Sequence, residues 1–189
     1  MIKVIIFDYY GVVAQDAFWY RVKGLETAQY KSAYIQELSN EVNLNKISWR
    51  EFCEAVSRDI GVPVETVMER YAQHKIKPGI VELISALAKK YHVVLLSNAS
   101  AEQLLPVMRH LGLDKLFEKT FVSSEIGLIK PNPEAFAYVA GELGVEPGEC
   151  VMIDDARRNV DSAITLGMQG IVFEDTETCS AELQALLGD

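Results

Sequence analysis

The residues of this 189-residue chain best suited to chemistry stand directly after short apolar runs. Asp8 follows Ile2-Lys3-Val4-Ile5-Ile6-Phe7, Ser97 and Asn98 follow the run from His92 to Leu96, and Asp154 and Asp155 follow Cys150-Val151-Met152-Ile153. A further run, Lys119 to Val122, leads into Ser123 and Ser124, with Lys130 soon after. Acidic side chains gathered at one spot repel each other unless a hard cation sits among them, and Mg²⁺ prefers carboxylate oxygen. Lys130 and the metal would offset charge on Asp8 and on an incoming phosphate, while the Ser97 hydroxyl and the Asn98 amide donate to phosphoryl oxygens. Such a set suits phosphoryl transfer, with Asp8 attacking phosphorus in line to form an aspartyl-phosphate. Taken singly, each residue has a plainer role. An Asp or Ser-Asn after a strand turns the chain, an acidic pair before a helix caps it, and a Lys in a Gly-Pro loop is a solvated charge. Only their joint placement carries the chemical reading.

That placement depends on the elements. Short apolar runs rich in β-branched residues read as strands buried on both faces of a parallel sheet. In open α/β sheets ligands bind beyond the carboxyl ends of the strands. Between the runs lie helical patterns: Ile80, Leu83, Ile84 and Leu87; Leu104, Val107, Met108 and Leu111; Phe136, Val139, Ala140 and Leu143; Ala156 to Leu166; and a terminal helix from Ala181 to Leu187. Gly170 to Phe173 reads as a last strand. Alternation of this kind predicts a doubly wound parallel sheet with right-handed crossovers. The segment from Asp16 to about His74 differs, having helical spacing without strand signals. Ser48-Trp49-Arg50-Glu51 has the form of a capping box, as does Ser100-Ala101-Glu102-Gln103 at the head of a later helix. Some 60 residues exceed a simple connection, so this segment is expected to be an inserted helical subdomain. Phe18, Trp19, Tyr20 and Arg21, just past the first strand, are candidates for its inner face, and His74, Lys75 and Lys77 flank the return.

Composition narrows the partners. Apolar residues make up 49% of the chain, enough for a sizeable core, and the formal net charge is −9 without a dense basic run. This excludes nucleic-acid backbone and anionic membrane as expected partners. Cys53, Cys150 and Cys179 form no C-x-x-C pair and fit a reducing compartment without a disulfide framework. No run is long enough to span a membrane, and Met1 leads straight into a strand, so a cytoplasmic protein is expected.

In their order, the motifs resemble the haloacid dehalogenase superfamily, and within it the phosphatase-like branch with a helical cap inserted after the first strand. The matching pieces are Phe7-Asp8-Tyr9-Tyr10-Gly11-Val12; Leu96-Ser97-Asn98; Gly127-Leu128-Ile129-Lys130-Pro131-Asn132-Pro133 with Phe136; and Ile153-Asp154-Asp155 with Asn159, Val160, Ala163 and Gly167-Met168. The resemblance implies a Rossmann-like three-layer α/β/α core of residues 1–15 and 75–189, a parallel sheet of order 5-4-1-2-3, and a small α-helical cap of residues 16–74. It implies that Asp8 is nucleophile and metal ligand, that Tyr10 lends its backbone carbonyl to Mg²⁺, and that Asp154 completes the protein ligands, with Asp155 acting through water or hydrogen bonding. Ser97 and Lys130 would hold the phosphoryl group with support from Asn98. The substrate would be a small phosphorylated metabolite, and the protein a monomer or weak homodimer.

One position departs from that pattern. Phosphatases of the family usually carry a second Asp two residues after the nucleophile as general acid and base; here the residue is Tyr10. A phenol, with pKa near 10, can donate a proton but is a poor base near neutrality. A slow phosphoric monoester hydrolase is therefore expected. Asp-x-Tyr is also the pattern of the family's metal-free 2-haloacid dehalogenases, although these replace the acidic pair with uncharged residues and usually carry Thr where this chain has Val12. A non-catalytic Mg²⁺- and phospholigand-binding protein is the third alternative.

Overall fold

The computed structural model describes residues 1–15 and 33–188. Phe18, Trp19, Tyr20 and Arg21, proposed above for the inner face of the insertion, lie outside the described residues. The first strand, β1, runs Val4–Phe7; the insertion then contributes α1 (Ala33–Asn43), α2 (Trp49–Ile60) and α3 (Val64–Tyr71). The remainder alternates: α4 (Ile80–Leu87), β2 (His92–Ser97), α5 (Ala101–His110), β3 (Lys119–Val122), the short α6 (Ser123–Ile126), α7 (Pro133–Glu142), β4 (Cys150–Asp154), α8 (Arg157–Thr165), β5 (Gln169–Val172) and α9 (Thr176–Leu187).

Among the described residues all strand pairings are parallel, and the order is β3-β2-β1-β4-β5, the order the resemblance implied. Alternation along each strand sorts side chains between two cores. Ile5, Phe7, Leu95 and Ile153 face α4, α5 and α9 through Ile84, Leu104 and Leu183. Val4, Ile6, Leu96 and Met152 face α7 and α8 through Phe136, Val139 and Ala163. β1 is central and wholly buried, which is why its sequence is an unbroken apolar run.

A separate core joins α1, α2 and α3 through Ile35, Val42, Phe52, Cys53, Val56 and Val67. Ser48 and Glu51 form the expected capping box at the head of α2. Two backbone bonds tie the chain where it leaves and re-enters the sheet layer, Gln15 N to Lys75 O at 2.8 Å and Lys77 N to Val13 O at 3.0 Å.

Two local expectations need correction. The second capping box does not form: Ser100 makes no side-chain cap on α5. The Ala101 N–H donates instead to Ser124 Oγ at 2.8 Å, while Glu102 Oε2 accepts from the Trp49 N–H at 3.1 Å. Gln103, the residue that would complete the box, is engaged by the Tyr10 hydroxyl and the Tyr71 carbonyl instead. The terminal helix also starts at Thr176 rather than Ala181, because Asp175 caps it by accepting from the Thr178 N–H.

Candidate active site

Register places Asp8 beside Asp154. Phe7 pairs with Ile153, and the Asp8 N–H continues the ladder to Ile153 O at 2.9 Å. Both carboxylates therefore emerge from adjacent strands at the carboxyl edge of the sheet. Lys130 joins them from the loop before α7, its Nζ 2.8 Å from Asp8 Oδ1 and 2.6 Å from Asp154 Oδ2. Its side chain is 1% exposed, so this is an interior ion pair and not a surface charge. The loop is held at this depth by Asn98. Asn98 Oδ1 accepts from the Lys130 N–H and Asn98 Nδ2 donates to the Lys130 carbonyl, both at 2.8 Å.

The two oxygens of Asp8 are unequal. Oδ1 accepts from Lys130 and from the Tyr9 N–H at 2.7 Å, whereas Oδ2 has no hydrogen bond among the described residues. Asp154 is bonded throughout: Oδ1 accepts from the Ala156 N–H at 2.9 Å, and the Asn159 amide reaches both oxygens at 2.9 and 3.0 Å. Burial raises the Asp8 carboxyl above the ordinary carboxylate range, with the nearby Asp154 charge adding to the rise and Lys130 opposing it. For Lys130, burial opposes the charge, but the attraction of Asp8 and Asp154 prevails and its ammonium is held more firmly than usual.

Gly11 completes this loop with φ +85°, a conformation glycine adopts without strain. A Cβ there would collide with the Asp155 carboxyl group. The missing side chain thus admits Asp155, and carboxylate oxygens of Asp8, Asp154 and Asp155 lie within 4.8 Å of one another. Lys130 supplies a single positive charge against these three carboxylates. The all-oxygen donor set, largely withdrawn from water, fits a hard divalent cation. Ser97 lies at the end of β2, fully buried, its Oγ without a partner among the described residues.

Asp8, Tyr10, Asn98, Lys130 and Asp155 line a cavity of about 360 Å³ together with Asn43, Trp49, Phe52, Arg70 and Tyr71 of the helical layer. The expected site residues are thus brought to one sheet edge, with Asp154 and Ser97 wholly buried. Tyr10 points its phenol at Gln103, donating to Oε1 at 2.6 Å. Gln103 Nε2 in turn donates to the Tyr71 carbonyl at 2.9 Å. His74, at the return from the inserted segment, is linked to the Tyr9 hydroxyl at 2.7 Å and the Tyr71 carbonyl at 2.9 Å. Arg70 was not singled out from sequence, and Gln103 only as the last residue of a capping box. Both sit in helices whose apolar spacing says nothing about which polar residue turns toward a cleft.

The chain resembles known proteins in both sequence and fold. A family model described as haloacid dehalogenase-like hydrolase matches residues 2–167. The chain is 26% identical to flavin mononucleotide hydrolase 1 of Arabidopsis thaliana, covering 98% of this chain and 78% of that protein. It is 29% identical to the D-ribitol-5-phosphate phosphatase of Bacteroides thetaiotaomicron, covering 99% of each. Its fold matches a crystal structure of a HAD family enzyme from the same bacterium in complex with magnesium and inorganic phosphate, at a TM-score of 0.74 and 24% identity, over 93% of this chain and 96% of that one. A family match over most of the chain, together with this fold, places the protein among the haloacid dehalogenase-like hydrolases.

Proposed function

We propose that the protein is a Mg²⁺-dependent phosphoric monoester hydrolase acting through an aspartyl-phosphate on Asp8. The observation that carries this reading is the pairing of an Asp8 oxygen clear of hydrogen bonds with a buried lysine and two further carboxylates within ligand reach. The names of the relatives, a flavin mononucleotide hydrolase and a ribitol-phosphate phosphatase, support small phosphorylated substrates. Asp8, Asp154 and Asp155 would hold Mg²⁺ with the Tyr10 carbonyl. When bound, the metal supplies charge neutralisation for the phosphoryl oxygens.

Asp8 Oδ2 attacks phosphorus as the bond to the leaving oxygen breaks, and that oxygen departs as an oxyanion that takes its proton from water. Lys130 holds Asp8 in place and offsets phosphoryl charge, Ser97 Oγ donates to a phosphoryl oxygen, and Asn98 acts mainly by fixing Lys130. Water then cleaves the acyl phosphate, returning Asp8. Tyr10 stands where an acid/base would act and is a weak base, so turnover favours good leaving groups. Loss of a positioned acid/base slows such steps by ~10²- to 10⁴-fold. Residues 1–15 and 75–189 form the catalytic core in this reading, and residues 16–74 the cap that covers it.

The test is phosphate release from p-nitrophenyl phosphate with Mg²⁺ and with chelator. Release is expected only with Mg²⁺ and is abolished in Asp8→Asn, which remains folded. Full activity in Asp8→Asn would remove the nucleophile assignment. The Asp8-x-Tyr10 pattern favours dehalogenation as the second reading. Chelator-insensitive halide release from 2-chloropropionate, without phosphate release, would establish it. Binding of Mg²⁺ and phosphate without either reaction would identify a non-catalytic protein.

A further inference from the structure

Arg70, near the end of α3, lines the same cavity as Asp8 and Lys130. Its Nη1 is buried and has no hydrogen-bond partner among the described residues. A guanidinium keeps its charge at any physiological pH and presents donors in a rigid fork matched to carboxylate and phosphate. A buried donor of this kind left unmatched is costly, and an arriving anion removes the cost. The Asp8 carboxylate in the same cavity is already held by Lys130. Arg158 is a third cationic residue of the lining, beside Lys130 and Arg70.

Part of the apolar lining of the cavity is aromatic. Trp49 stacks on Phe52 with centroids 5.4 Å apart, and Tyr71 stands edge-on to Trp49 at 4.7 Å. Its volume, about 360 Å³, lies near the low end of ligand pockets, roughly 300–1,000 Å³. With a net charge of −9, the molecule as a whole repels multiply charged anions, so an anionic substrate needs local cations.

We propose that Arg70 determines specificity by binding a second anionic group of a small phosphomonoester, a carboxylate or another phosphate, at the end remote from the transferred phosphoryl. This rests on the phosphatase reading for the site. In it, Asp8 and Lys130 take the reacting phosphoryl, the aromatic wall covers the middle of the substrate, and Arg70 receives the far anion.

Four probes of matched shape test it: phenyl phosphate, 4-carbamoylphenyl phosphate, 4-carboxyphenyl phosphate and 1,4-phenylene bisphosphate, each assayed for Mg²⁺-dependent phosphate release. The protein is expected to show a KM for the better of the two anionic probes about 10- to 100-fold below that of the carbamoyl probe, the range of a charge-assisted hydrogen bond. A larger gain with the carboxylate or with the bisphosphate identifies the far group. Arg70→Gln is expected to erase the ratio between anionic and neutral probes, and Arg70→Lys to restore part of it. Misfolding lowers all four probes together and leaves that ratio intact, so the ratio reports the contact itself. Equal KM values for neutral and anionic probes, or a ratio that survives Arg70→Gln, overturn the proposal. If no probe is turned over, the phosphatase reading fails by itself. Calorimetric Kd values for the same four compounds, judged by the same ratios, then decide the Arg70 assignment.

Discussion

Asp8 is held by one oxygen and exposed to chemistry at the other, and that asymmetry has a thermodynamic signature. Burial raises its pKa in the folded state above that of the unfolded chain. The folded, metal-free protein therefore keeps a proton that the unfolded chain releases. This stabilising contribution is complete below about pH 4 and fades as pH climbs toward neutrality. Asp8→Asn does not ionise and lacks that decline. In chelator, the melting temperature of Asp8→Asn relative to the parent should rise from pH 4 toward neutrality, and a flat difference would contradict the assignment of cause. Asp8 and the Asp154-Asp155 pair were legible because each follows an apolar run at its strand's carboxyl end. The Oδ1/Oδ2 inequality was not, since it comes from Lys130 and the Tyr9 N–H converging on one oxygen. Likewise Asn98 could be read as a turn or as a phosphoryl donor; its clamp on both backbone groups of Lys130 depends on a loop distant in sequence.

At the level of elements, close approach decides which residues are tolerated. Gly170 in β5 faces α8 so tightly that a Cβ would lie 2.5 Å from Val160 Cγ1 and 3.0 Å from Ile164 Cδ1. Gly170→Ala should therefore cost ~1–3 kcal/mol by overpacking, read as a lower urea midpoint at unchanged slope. The start of α5 shows the opposite case, in which local preference gives way. Ser100 and Gln103 have the spacing of a capping box, yet Gln103 serves Tyr71 and Tyr10, while its neighbour Glu102 serves the Trp49 N–H of the helical layer. A local pair contributes little beyond its hydrogen bonds, so partners from another layer displace it when they approach well. Helix and strand identities were readable because they follow from periodicity, whereas the bonds that join layers have no period.

At the scale of the whole fold, three separate cores among the described residues each contain a buried free thiol: Cys53 in the helical layer, Cys150 and Cys179 on opposite faces of the sheet. Burial pushes the Cys53 and Cys179 thiols up to about 12 and the Cys150 thiol to about 11, so all three stay protonated at pH 8. Native protein should resist iodoacetamide. In moderate urea Cys53 should be modified before the other two if the helices open apart from the sheet; simultaneous modification would mean one cooperative unit. The sequence by itself determined the parallel α/β core, its family, the acidic sheet edge and the helices that follow the first strand, because burial imposes a period and strand ends impose a location. Tertiary structure alone decided that Lys130 is interior, that Gly11 makes room for Asp155, that Tyr10 is held by Gln103, and that Arg70 faces the same cavity as Asp8. Each of those facts depends on segments far apart in the chain meeting at one place, and spacing along the chain carries no information about such a meeting.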